Sequence, residues 1–338
     1  MAIQEVYNSQ QNRWKTHMKL TDMPGSNLRF APLALGTAEF GSAITMERSF
    51  QIMDRFVEGG GTWIDTARVY ADWLPDGHGK SEITVGRWLG DRGLRKDVLI
   101  STKGAHPDMS TMQVSRLGEQ DIISDVEESL NCLGVDTIDL YWLHRDDESL
   151  PVDGILNTMN ELVNTGKIRY FGCSNWRPNR IRAAAEYASN HELRSFVASQ
   201  IQWSLAELNE DSGSDPTTVN MDKDGLEFYK ETGLSMFAFT SQAKGFFQKL
   251  HAGGIESLKD AVKNSYYNEV NRGRMERVME VSRQMNISIS SVVLGYLISQ
   301  PFPVVPIIGS SSVEQVEEAM EALDVRLTPG QVDYLEQG

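Results

Sequence analysis

Eight short β-branched runs, each followed by a longer amphipathic stretch, restrict this chain more than any other feature. The runs are Leu33–Gly36, Thr62–Asp65, Val98–Thr102, Thr137–His144, Ile168–Ser174, Phe196–Gln200, Leu234–Thr240 and Val304–Ile308. Helical periodicity occupies 47–58, 80–90, 121–133, 152–165, 178–189, 222–232 and 271–285. Segment 121–133 shows the pattern: Ile122, Val126, Leu130 and Leu133 fall on one helical face, with carboxylates on the other. Strands alternating with helices eight times predict an α/β fold, a parallel (β/α)8 TIM barrel, with a doubly wound open sheet as the alternative. At 338 residues the chain accommodates one such barrel with insertions, and no Pro/Ser-rich linker divides it, so residues 1–338 are expected to form a single domain. Residues 1–31 are expected as a turn or hairpin under the barrel floor. Segments 204–221 and 246–270 are expected as long loops on the face where barrels build active sites, the second with room for a short helix.

Composition narrows the function classes. Lys and Arg number 32 against 47 Asp and Glu, a net charge of −15, which opposes sequence-independent binding to nucleic acid or anionic membrane. With 40% hydrophobic and 23% charged residues the chain has a core-forming composition. Two cysteines, Cys132 and Cys173, cannot form a disulfide framework and fit a reducing compartment; Cys173 reads as a small buried side chain. No run approaches the ~18 apolar residues of a membrane span, and the start, MAIQEVYNSQQNRWK, lacks the apolar centre of a secretion signal. A soluble cytoplasmic protein acting on a small molecule is expected, with no metal and with its oligomeric state open.

Four polar residues stand at or just beyond the C-terminal ends of consecutive strands: Asp65 in TWIDTARVY, Tyr70 five residues on, Lys103 in VLISTKG and His144 in IDLYWLHRD. In a barrel these ends converge on one mouth. Singly, each has a structural explanation: a helix cap, a loop packing residue, a solvent-facing lysine, a satisfied histidine. Together they suggest chemistry. A buried ammonium beside a phenol favours the phenolate, and a carboxylate keeps the ammonium charged and oriented. The product is a general acid for a developing alkoxide, with a neutral imidazole to hold a carbonyl oxygen.

The segments GTAEFG, GGTWIDTARVY, GKSEITVGRWL, DLYWLHRD, GKIRYFGCSNW and PIIGSSSVEQVEEA resemble the aldo-keto reductase family over roughly 30 to 330. The resemblance implies a catalytic tetrad of Asp65, Tyr70, Lys103 and His144 and a nicotinamide cofactor bound without a Rossmann fold. The only glycine run near a strand, Gly59–Gly61, precedes that strand, unlike a dinucleotide fingerprint. It further implies a nicotinamide carboxamide held by Ser174, Asn175 and Gln200, whose side chains can all hydrogen-bond an amide, and a ring stacked on Phe239, where relatives usually carry Tyr. Gly36, Thr37, Asp65, Thr240, Ser241, Gln242, Lys244, Gly309, Ser311, Gln315 and Glu318 complete the implied cofactor set. The backbone N–H groups where Gly309–Ser312 enters a helix make an anion site, and Ser311 or Ser312 also reads as an N-cap with Glu314 or Gln315 closing a capping box.

Two departures from the family pattern matter. Many relatives place Arg or Lys at the position of Ser311 to pair with the 2′-phosphate of NADPH, but no basic residue occurs from Gly309 to Glu321, and Ala319 replaces an adenine-side Asn. NADP(H) is the family default; NAD(H), or use of both, is raised here, with Lys244 as the available cation. In addition, ADWLPDGH lengthens the gap after Tyr70 and places Trp73 and His78 beside it. Trp73, Phe40 and Trp176 are expected to line the substrate pocket. The resulting expectation is a reductase of aldehydes or ketones, sugar-derived ones included, or the reverse alcohol oxidation. Two rivals stand beside it. One is a non-catalytic nicotinamide-sensing module, as in the family's channel-associated branch; the other is a Schiff-base lyase using Lys103.

Overall fold

The computed structural model describes residues 20–210, 212–213 and 215–337, and these build a closed barrel preceded by a short hairpin. The hairpin pairs β1 (Thr21–Asp22) antiparallel with β2 (Arg29–Phe30). Residues 1–19 of the segment expected as a turn or hairpin lie outside the described residues. The barrel strands are β3 (Ala34–Gly36), β4 (Trp63–Asp65), β5 (Leu99–Gly104), β6 (Ile138–Leu143), β7 (Ile168–Ser174), β8 (Ala198–Gln202), β9 (Ser235–Phe239) and β10 (Val304–Ile308). Every pairing is parallel, each strand bonds its sequence neighbour, and β10 closes on β3 through Ile307↔Ala34 and Ile308↔Leu35. This is the (β/α)8 barrel that the alternation predicts.

The strands are buried on both faces, which is why they read as continuous apolar runs rather than as alternation. Outward-facing residues pack beneath the helices. Inward-facing ones fill the lumen, where Phe30 of the hairpin plugs the floor. Its ring meets Trp63 edge-on at 5.0 Å, and Trp63 and Trp142 in turn lie 5.0 and 5.1 Å from Phe237. Met23, Leu28 and Phe30 are each at most 2% exposed, so the hairpin closes the N-terminal end of the barrel. The functional end is the opposite one.

Three differences from the sequence expectation bear on the site. First, β5 runs on to Gly104 and β8 to Gln202, so Lys103 and Gln200 project from within strands into the lumen instead of closing them. Second, residues 246–270 are not a loop with one short helix. They carry helices Phe246–Gly253 and Asp260–Tyr266, joined by a 3-10 turn, and the start of Glu269–Met285. Their short periods are masked in the sequence by glycines at 245, 253 and 254. Third, helix Ile289–Ile298 is absent from the expected elements because nearly all its residues are buried, so it has no polar face to create a period. Segment 204–221 forms no regular element among its described residues, as expected.

Candidate active site

The site is built from a carboxylate outward. Asp65, the last residue of β4, is 1% exposed and receives four side-chain hydrogen bonds. Its Oδ1 accepts from Ser101 Oγ at 2.6 Å, Trp142 Nε1 at 3.2 Å and Gln200 Nε2 at 3.3 Å; its Oδ2 accepts from Lys103 Nζ at 2.5 Å. A buried carboxylate needs such an environment, since an unpaired one is costly. Lys103 Nζ also donates to the Thr66 carbonyl at 2.8 Å and to Tyr70 Oη at 2.9 Å. Burial opposes the charge on Lys103, but Asp65 and Tyr70 more than offset it, and the ammonium is held above the ordinary lysine range. The side chain is 1% exposed, sealed between Asp65 and the phenol.

Tyr70 therefore forms the surface of this group. It lines a cavity of about 880 Å³ that His144 also lines, the two rings 6.2 Å apart. His144 is the first residue beyond β6, tied back to β5 by its backbone N–H to the Gly104 carbonyl. Burial, then the positive charge of Arg145 and the nearby His106 and Lys103, keep its imidazole neutral well below the usual histidine range. Its Nδ1 has no partner. The structure thus gathers Asp65, Tyr70, Lys103 and His144 within one chain of contacts at one end of the barrel.

The Tyr70 loop is pinned from behind. Arg68 Nε donates to Glu128 at 2.6 Å and lies 3.2 Å from Asp125, while His78 bridges Asp72 and Glu128. Burial works against the His78 proton, but Glu128 and Asp72 outweigh it and raise the pKa. Glu82, from GKSE, is buried beneath β5 and accepts from Thr102 Oγ1 at 2.6 Å; burial pushes its carboxyl up to about 7.

Most of the implied cofactor residues share the cavity. Gly36, Ser174, Asn175, Gln200, Phe239, Thr240, Ser241, Gln242, Lys244, Gly309, Ser311, Gln315 and Glu318 line it. Thr37 does not; it is buried beside the site, hydrogen-bonded to the Asp65 carbonyl and Ser81. Asp65 is shielded by the residues it binds. Asn175, at φ 61, has both ends of its amide engaged: Nδ2 donates to the His144 carbonyl and Oδ1 accepts from Val219 N at 3.0 Å. Ser174 Oγ accepts from Asn175 Nδ2 at 3.1 Å and Gln200 Nε2 donates to Asp65, which leaves the Ser174 hydroxyl hydrogen and Gln200 Oε1 for an amide.

Substrate-pocket expectations divide. Phe40 lines the cavity. Trp73 does not, and is 50% exposed: the ADWLPDGH turn folds on itself through Leu74 N to Ala71 O and Gly77 N to Leu74 O, which sends the indole outward. Trp176 is fully buried outside the lumen, because the left-handed backbone at Asn175 turns the chain toward Phe196, whose ring it meets at 5.0 Å. Several lining residues escaped the sequence reading, among them Glu39, Arg145, Thr218, Gln248 and Lys249. Arg145 follows His144 in HRD, and its position beside the histidine was the available signal.

Two backbone turns line another part of the cavity. After β9, Thr240, Ala243, Lys244 and Gly245 all have positive φ, a coiled turn that leads into Phe246–Gly253. Opposite it, Gly309–Ser311 enter Val313–Met320, capped by Ser312 Oγ on Gln315 N. Gln315 Oε1 in turn accepts from Ser311 N and Oγ. Glu314 pairs with Arg48 and Glu317 with Arg55, so of the acidic residues on this helix only Glu318 faces the cavity. A cavity with an aromatic side chain at Phe239, hydrogen-bonding side chains at Ser174 and Gln200, and the Gly309–Ser311 turn entering a helix fits a nicotinamide dinucleotide.

Comparison with known proteins agrees with this architecture. Residues 32–337 match the aldo/keto reductase family. The chain is 27% identical to a norsolorinic acid reductase of Emericella nidulans, covering 93% of this chain and 79% of that protein. It is 25% identical to an aryl-alcohol dehydrogenase of Pestalotiopsis microspora, covering 93% and 80%. A norsolorinic acid reductase of Dothistroma septosporum is 27% identical, with 93% and 79% covered. The chain belongs to the aldo/keto reductase family and is an oxidoreductase; the family generally uses NAD(P)H. No helix among the described residues is long and apolar enough to cross a membrane.

Proposed function

We propose that this protein is an NAD(P)H-dependent carbonyl reductase that uses Tyr70 as general acid. The observation that carries the reading is the order of the groups: the Tyr70 phenol faces the cavity, with the Lys103 ammonium 2.9 Å behind it and Asp65 2.5 Å behind that. A nicotinamide bound in this cavity would supply the hydride. Tyr70 gives its proton to the carbonyl oxygen, Lys103 stabilises the phenolate that remains, and Asp65 keeps Lys103 charged. Neutral His144 donates a hydrogen bond to the same oxygen, and in alcohol oxidation every proton runs backwards. The same order disfavours a Schiff-base lyase. That chemistry needs an accessible, uncharged lysine, whereas Lys103 is sealed behind Tyr70 and held charged.

The substrate is an aldehyde or ketone, with aryl carbonyls favoured by the names of the relatives and sugar-derived carbonyls also admitted by a pocket lined by Phe40, Glu39 and Arg145. A net charge of −15 opposes nucleic acid and anionic membrane as partners. A cytoplasmic location and a single-domain organisation complete the proposal. Titrating the protein with NADH and NADPH by tryptophan fluorescence, then assaying the better cofactor with a carbonyl panel, tests it. Binding followed by turnover is expected; binding of neither cofactor to folded protein would overturn it, and binding without any turnover would favour a nicotinamide sensor.

Cofactor preference is proposed to be dual. Glu318 presents an acid to the adenosine end and suits a ribose hydroxyl, whereas Lys244 and Lys249 also line the cavity and offer cations to a 2′-phosphate. Ser311→Arg adds a guanidinium beside that site and is expected to shift preference toward NADPH by about 1–3 kcal/mol, a factor of roughly 5 to 150. The ratio of kcat/KM for the two cofactors reads it directly, and an unchanged ratio means that any phosphate is held elsewhere.

A further inference from the structure

One buried histidine beside the site is unused by this mechanism. His106, three residues beyond Lys103, is 6% exposed, and its ring meets His144 edge-to-face with centroids 4.8 Å apart. Its Nδ1 lies 2.6 Å from the Pro107 carbonyl. A carbonyl only accepts, so Nδ1 carries the hydrogen, and the tautomer is set. The backbone that aims the ring is unusual. Ala105 has φ 56, a left-handed conformation that costs a residue with a Cβ about 1–2 kcal/mol. It is held there by Asp125, whose Oδ2 accepts the Ala105 N–H at 2.8 Å while Arg68 and Arg116 pair with Oδ1. A strained residue anchored by a buried carboxylate places one imidazole against another. The His144 ring needs such a support, because its Nδ1 makes no hydrogen bond that could fix it.

We infer that His106 is a positioning residue that braces the His144 ring at the cavity wall, so that His144 presents Nε2 to the carbonyl oxygen. The kinetic part of this inference rests on the proposed reductase reading; the contact itself does not. Tyr70 faces His144 from the β4 loop, Lys103 and His106 from β5 and its continuation, and Arg145 from its own strand end. His106 is itself subject to Arg145, Asp215 and Asp72. As pH falls, a proton on His106 repels one on His144, so removing the imidazole makes His144 easier to protonate.

The test compares H106F, which keeps an aromatic edge, with H106A, which removes the brace. His144 protonation is followed by nitrogen-edited NMR, which needs no turnover, alongside the pH profile of kcat/KM. In H106F the His144 titration and the acid limb are both expected to move up, because the repulsion from His106 is gone. In H106A kcat is expected to fall about 10- to 100-fold, with cofactor affinity retained. H106F is expected to keep more of kcat than H106A. An unmoved His144 titration in folded H106F, or wild-type kcat in folded H106A, overturns the assignment. If wild-type protein reduces no carbonyl, the reductase reading falls, and the NMR titration still decides the role of His106.

Discussion

Tyr70→Phe is expected to lose about 10²- to 10⁴-fold in kcat, the range that a positioned general acid supplies, while binding NAD(P)H with wild-type affinity. The substitution removes one oxygen and little else. The phenyl ring stays over the Lys103 ammonium, which lies 4.7 Å from its centroid, and Lys103 keeps Asp65 and the Thr66 carbonyl as partners. No carboxylate is stranded and no cavity opens, so the fold remains and the loss reports proton delivery alone. Single-turnover rates at saturating cofactor separate this from slow product release. If the variant retains turnover within tenfold of wild type, the proton comes from His144 or from water, and Tyr70 is part of the wall only.

How far the sequence reveals this site depends on what each residue touches. Asp65, Lys103, Tyr70 and His144 were legible because strand ends of a barrel share one mouth, and a strand-end position is visible in a β-branched run. The order Asp65–Lys103–Tyr70 was legible too, from the charge that each group needs beside it, but the placing of Lys103 within its strand was not. That Lys103 is sealed behind Tyr70 follows from β5 running on to Gly104, and strand boundaries are poorly marked in sequence. Trp73 and Trp176 failed as pocket residues for a related reason. Each lies near a pocket residue in the chain, but a left-handed Asn175 and a self-bonded turn at 71–77 point the indoles away. Pro75-Asp76-Gly77 marks a turn, but the left-handed angles that aim the indoles fall on Ala71, Asp76 and Asn175, where no glycine announces them. His106 was invisible because its significance lies in a contact across two strands. The helix Ile289–Ile298 was missed because complete burial erases periodicity.

Lys103→Met is expected to abolish turnover and to destabilise the fold by about 3–5 kcal/mol, the cost of breaking a buried ion pair from one side. The methionine approximates the lost volume, so packing is nearly conserved, but Asp65 is left with neutral donors from Ser101, Trp142 and Gln200 around a charge 1% exposed. The pH dependence has a definite sign. Lys103 is held above its ordinary value, so its stabilisation is complete below the unfolded pKa of about 10.4 and fades only as pH rises through the higher folded value. Between about pH 6 and 9, therefore, the lysine's own titration leaves the wild-type contribution constant. The double variant D65N/K103M separates charge from shape. With both charges gone and an amide in place of the carboxylate, most of the lost stability is expected to return, since a buried pair is often no more stabilising than a neutral replacement. Turnover is not expected to return, because no cation remains to stabilise the Tyr70 phenolate. Denaturant unfolding of the two variants beside wild type measures this. A double variant as unstable as K103M would place the cost in lost packing or in the Thr66 and Tyr70 hydrogen bonds, not in a stranded Asp65. The electrostatic account of the site would then have to be rebuilt around Lys103 alone.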